Sequence, residues 1–158
     1  AHVDTLGLMV RSIKGNGNLA LTKIGGPIVP TLDGEYCKVV TRDNKVYTGT
    51  ILSTSNAAHV YKDSESKSRD IDNVELRLDE IVKSKDDVKK LGIENGDYVF
   101  IDPKYVVTES GFLKTRFIDD KATIVYQIIK EKTINYKLFL KYILEKNKKN
   151  STKVEPFF

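Results

Sequence analysis

The chain has one cysteine, Cys37. A single thiol cannot close an internal disulfide, which suits a reducing compartment, and a cytoplasmic location is expected. Long apolar runs are missing as well. None approaches the roughly 20 residues that cross a bilayer, so no membrane partner is expected. The first residues carry no basic segment followed by an apolar one and do not read as a secretory leader. Histidine is scarce, with two in 158 residues. With G-x-S-x-G also absent, no Ser-His-Asp reading survives. The glycines of "IGGP" are followed by neither a helix nor GK[ST], which makes a phosphate loop a poor reading. No RNP-like aromatic motif, zinc-finger spacing or helix-turn-helix is present, so nucleic acid is not an expected partner.

What is present is an ordinary globular composition, 40% hydrophobic and 30% charged over 158 residues. That length buries a real core in one domain or two small ones. The net charge of +4 is unevenly placed. Eight lysines and two glutamates between Lys130 and Lys153 put that stretch at +6 and the remainder at −2. The lysines are mixed into a helical pattern and read as a solvated helix face.

From Gly7 to about Gly111 the signals are mainly β. Short runs of Val, Ile, Tyr and Thr are separated by Gly, Asn and Asp. "LMVRSIK", "GNGN" and "LALTKIGG" predict a hairpin whose glycines supply positive φ. "EYCKVVT", "RDN" and "KVYTGTILS" predict a second. "VELRLDEI" alternates as a half-buried strand does. "GDYVFIDPKYVVT" and "SGFLKTRFI" complete a set that suggests a small barrel or sandwich. "SKDDVKKLG" predicts a short helix with Ser84 as N-cap, Asp86 and Asp87 in the first turn and Gly92 as the stop. "NAAHVYKDSESKSRDIDN" reads as a polar loop. After Ile118, Ala122, Val125, Ile128 and Ile129 fall at helical spacing. A second helix is predicted over Tyr136 to Lys146, and "VEPFF" reads as the start of a buried strand.

Two stretches carry candidate chemistry. In "AHVDTLGLMV", read as a strand end, His2 and Asp4 point to one face. Such a pair suits a metal ligand and the carboxylate that fixes its tautomer, or simply a satisfied structural histidine. In "FIDDKA", Asp119 and Asp120 open a helix, where they are helix caps or hard oxygen ligands that bridge metal ions. His59 has no partner at ligand spacing and reads as a loop residue. Cys37 lies mid-strand and reads as a small buried side chain.

Taken in order, "AHVDTLGLMV", "IGG", "LGIENGDYV", "TESGFLKTRFIDDK" and the closing helix resemble the M42 family of metallo-aminopeptidases, over nearly the whole chain. The resemblance implies an α+β architecture: a small β-rich, barrel-like inserted domain flanked by fragments of an α/β metallopeptidase catalytic domain. The corresponding divisions are a catalytic-domain strand fragment at 1–6, an inserted dimerisation domain at 7–112 and a second catalytic-domain fragment at 113–158. It implies two divalent metal ions, zinc or cobalt, in the full-length enzyme, with none expected to stay bound in this segment. It also implies peptide substrates and a homodimer that builds toward a tetrahedral dodecamer. By motif, His2 matches a metal ligand, and Asp4 the catalytic-site carboxylate that orients it. Asp119 matches the aspartate bridging the metals, and Asp120 its structural neighbour.

The family's Glu-Glu pair, later aspartate and C-terminal histidine have no match here. Glu155 and His59 do not supply them. The expectation is therefore an internal segment of a two-metal aminopeptidase, inactive by itself. The alternative is a non-catalytic β-rich oligomerisation module. A different co-catalytic metallohydrolase is disfavoured by "AHVDTLG" and "IGG". Nothing identifies paired carboxylates flanking a sugar bond.

Overall fold

The computed structural model describes residues 2–131. They divide into two compact units, one running from Thr5 to Arg116 and the other combining residues 2–4 with residues 117–131.

The first unit is a closed six-stranded barrel. Its strands are β1 (Gly7–Ile13), β2 (Leu19–Ile24), β3 (Tyr36–Val40), β4 (Val46–Ser53), β5 (Val74–Leu78) and β6 (Tyr98–Ile101). They close in the order β1-β2-β5-β4-β3-β6, with every neighbouring pair antiparallel. Closure leaves no barrel edge unpaired. Inward positions follow the strand period: Leu8 and Val10, Leu19 and Leu21, Cys37 and Val39, Val74 and Leu76, and Val99 and Ile101 are buried. In β1 a register shift between Val10 and Ser12 inserts Arg11 as an extra residue. Without it Ile13 would face out; with it, Ile13 joins the core.

Both predicted hairpins form. The β1–β2 turn is closed by Lys14 N–H to Asn18 O at 2.8 Å, with Gly17 at φ 86. The β3–β4 turn is closed by Thr41 N–H to Lys45 O at 3.0 Å, with Asn44 at φ 60. Gly49 on β4 answers a different need. A Cβ there would stand 2.6 Å from the Arg77 carbonyl oxygen of β5. The helix α1 (Lys85–Lys90) is capped by Ser84, whose Oγ accepts from Asp87 N–H. Val88 and Ile93 add fully buried side chains to the core.

Three expectations change. Residues 2–6 are exposed and form no strand, where the alternation predicts a buried strand end. A strand needs a neighbour for its N–H and C=O groups, and none pairs with this segment among the described residues. "GDYVFIDPKYVVT" breaks after Ile101, because Pro103 lacks an N–H and Lys104 takes φ 48. Beyond the break the strands among the described residues form a two-stranded pair, β7 (Val106–Val107) with β8 (Leu113–Lys114). In the second unit α2 (Lys121–Glu131) follows the predicted spacing. The predicted helix at Tyr136–Lys146 and the "VEPFF" strand lie outside the described residues. No described helix is long and apolar enough to cross a membrane.

Candidate functional site

His2 and Asp4 meet directly, with His2 Nδ1 2.9 Å from Asp4 Oδ1. An ionised carboxylate only accepts hydrogen bonds, so Nδ1 is the donor of this pair and Nε2 is left free of it. The pair is exposed, with side-chain accessibilities of 51% and 85%. Its geometry therefore comes from the i, i+2 spacing and not from enclosure.

Asp119 and Asp120 precede α2, and the peptide bond between them is cis. The Asp120 carbonyl accepts from Thr123 N–H at 3.0 Å, opening the first helical turn. A hydrogen bond from Thr123 holds the Asp120 carboxyl below its ordinary value. His2 and the paired aspartates belong to the same compact unit. Asp119 is exposed. The Lys121 ammonium donates to the Asp4 carbonyl at 3.3 Å and to the Phe117 carbonyl at 3.2 Å.

Other candidates separate from this group. Cys37 is 2% exposed, and its Sγ donates to Gly49 O at 3.4 Å. Burial, with the nearby Asp79 carboxylate, pushes the thiol up to about 12, so at neutral pH it is no nucleophile. His59 lies exposed in the polar loop. A groove of about 700 Å³ runs over β3, β4 and β6 and includes Tyr36, Lys38, Thr48 and Phe100. It contains none of His2, Asp4 or Asp119.

Sequence reasoning missed an anchor at the end of the barrel unit. Glu35, 12% exposed, faces Lys104 Nζ at 2.7 Å and Arg116 Nη2 at 2.8 Å. Arg116 also donates to Thr31 O at 3.1 Å. This fixes the last barrel residue before the chain passes to Phe117 and the aspartates. Nothing local in "DGEYC" signals it, because the partners lie far along the chain.

An imidazole with one nitrogen tied down and a hard carboxylate are donor types that suit a borderline divalent ion. The donor chemistry therefore fits a metal, but in number it is incomplete. Among the described residues no group of three or more His, Cys, Asp or Glu side chains is placed to hold one.

The sequence pattern of the family described as M42 glutamyl aminopeptidase matches residues 1–140. The protein YhfE of Bacillus subtilis (strain 168), which carries an aminopeptidase name, is 48% identical over 124 residues, covering 78% of this chain and 36% of that protein. The aminopeptidase APDkam598 from the archaeon Desulfurococcus kamchatkensis superposes with a TM-score of 0.59 at 29% identity, covering 69% of this chain and 28% of that one. The Pyrococcus horikoshii TET1 peptidase, described as assembling into a tetrahedron or a large octahedral shell, gives a TM-score of 0.68 at 24% identity, covering 85% of this chain and 39% of that one. The chain spans about a third of the length of the curated relatives it matches.

Proposed function

The chain belongs to the M42 glutamyl aminopeptidase family, and from that premise we propose that it is a segment of a two-metal aminopeptidase that removes N-terminal residues from peptides. The observation that carries this reading is the His2–Asp4 pair, with Nδ1 2.9 Å from Oδ1, in one unit with the aspartates that open α2. His2 presents Nε2 as a ligand, Asp4 orients the ring by holding the Nδ1 proton, and Asp119 supplies a bridging carboxylate. Zinc or cobalt, when bound, supplies Lewis acidity toward the scissile carbonyl. The glutamate base and the remaining ligands belong to sequence outside the described residues. That agrees with the partial coverage of the relatives and the incomplete donor count.

The test compares the full-length protein with the 158-residue chain on aminoacyl p-nitroanilides. The full-length protein should release nitroaniline, lose activity to a chelator and recover it with zinc or cobalt. H2A and D119N should each lower kcat/KM at least about a hundredfold. Chelator-resistant activity would sink the metal reading. Robust activity of the short chain would sink the segment reading.

A second role is compatible with the first, namely assembly through the barrel. Tyr36, Tyr98 and Phe100 are exposed on the paired strands β3 and β6. Such an aromatic face suits a second copy of the chain better than water. The assembly described for the Pyrococcus horikoshii TET1 peptidase supports the same reading.

A further inference from the structure

Lys121 is the first residue of α2. The N-terminal end of a helix carries partial positive charge, so a lysine there opposes the macrodipole. What the ammonium gains instead is two backbone acceptors, Asp4 O at 3.3 Å and Phe117 O at 3.2 Å. These carbonyls flank the candidate ligands, because Asp4 is two residues after His2 and Phe117 two before Asp119. The bond to Asp4 spans 117 positions of sequence. Phe117 itself takes φ 62, a left-handed conformation that is costly for an aromatic residue and persists where surrounding contacts hold it. The Lys121 bond to its carbonyl is one such contact. Both partners are neutral, so neither cancels the lysine charge.

We propose that Lys121 is a positioning residue that clamps the His2–Asp4 segment to the Phe117–Asp119 segment and so sets the spacing of the His2 and Asp119 ligands. This rests on reading those two residues as metal ligands. The sign of the effect separates positioning from simple charge. An ammonium beside a cation site repels the ion, so charge alone predicts tighter metal binding when Lys121 is neutralised. Positioning predicts weaker binding.

The experiment is titration of the full-length protein with cobalt(II) alone, followed by visible absorption of the bound ion. K121M should weaken binding at least about tenfold, the range seen when partners that orient metal ligands are removed. It should also change the band shape, which reports ligand geometry. K121R keeps charge and donors and should restore most of the affinity. Unchanged or tighter binding in K121M, with H2A still impaired, overturns the role of Lys121 alone. Unchanged binding in H2A removes the ligand reading itself. Should K121M not fold, exchange of the Lys121 ammonium protons with water decides in the unsubstituted protein. Exchange slower than for a lysine in an unfolded peptide supports the clamp, and equal exchange overturns it.

Discussion

Glu35 is 12% exposed and lies within 2.8 Å of two cations, Lys104 and Arg116. Burial alone would raise its carboxyl, but Lys104 and Arg116 outweigh it and hold the group below its ordinary value of 4.5. A carboxyl depressed on folding stabilises the fold fully above its unfolded value. That contribution is lost as pH falls through the lower folded value. E35Q should therefore cost about 1–3 kcal/mol at pH 7, and the difference should shrink as the pH is taken below 4.5. Urea melts of both proteins at several pH values check this, and a gap that widens in acid would contradict it. This interaction was not legible in the sequence, because Glu35 and Arg116 meet only once the barrel has closed. The His2–Asp4 pair was legible, since two residues of spacing suffice to bring the groups together. The clamp from Lys121 to Asp4 was not, for it joins opposite ends of the described chain.

At the level of elements, the local signals performed best. Ser84 and Asp87 cap α1 reciprocally: Ser84 Oγ donates to Asp87 Oδ2 at 2.8 Å, and Asp87 N–H donates to Ser84 Oγ at 3.2 Å. The Ser84 bond, with Lys90, lowers Asp87 to about 2, so the charged cap persists well into acid. S84A should lower stability by about 1 kcal/mol, read as a shift of the denaturation midpoint without a change in slope. Gly49 is more demanding. A methyl group there would meet the Arg77 carbonyl at 2.6 Å, across a strand pair that cannot splay inside a closed barrel. G49A should cost about 1–3 kcal/mol, again checked by denaturation. Hairpins and the capped helix were readable because their determinants lie within a few residues of one another. The Arg11 bulge was not, because only the partner strand β2 reveals the extra residue. The strand expected at residues 2–6 failed for a related reason. Alternation states which face a side chain would take, but it does not supply the neighbouring strand.

For the whole molecule, the proposed assembly turns on the aromatic face of the barrel. Tyr98 and Phe100 leave β6 on the same side, with their rings 6.4 Å apart, and Val40 and Lys38 lie opposite them on β3. The two rings are 54% and 51% exposed. Burying them against a second copy removes apolar surface from water without breaking a barrel hydrogen bond, because strand pairing already uses the backbone. Replacing both rings with lysine adds two like charges per copy and, across a symmetric contact, sets them against each other. The barrel itself should tolerate the change, since both side chains point away from its core. The chain should therefore sediment as a dimer or larger species, and Y98K/F100K should sediment as a monomer with unchanged far-UV circular dichroism. A parent chain that stays monomeric at high concentration would refute assembly through this unit. A double variant that still assembles would place the contact on another face.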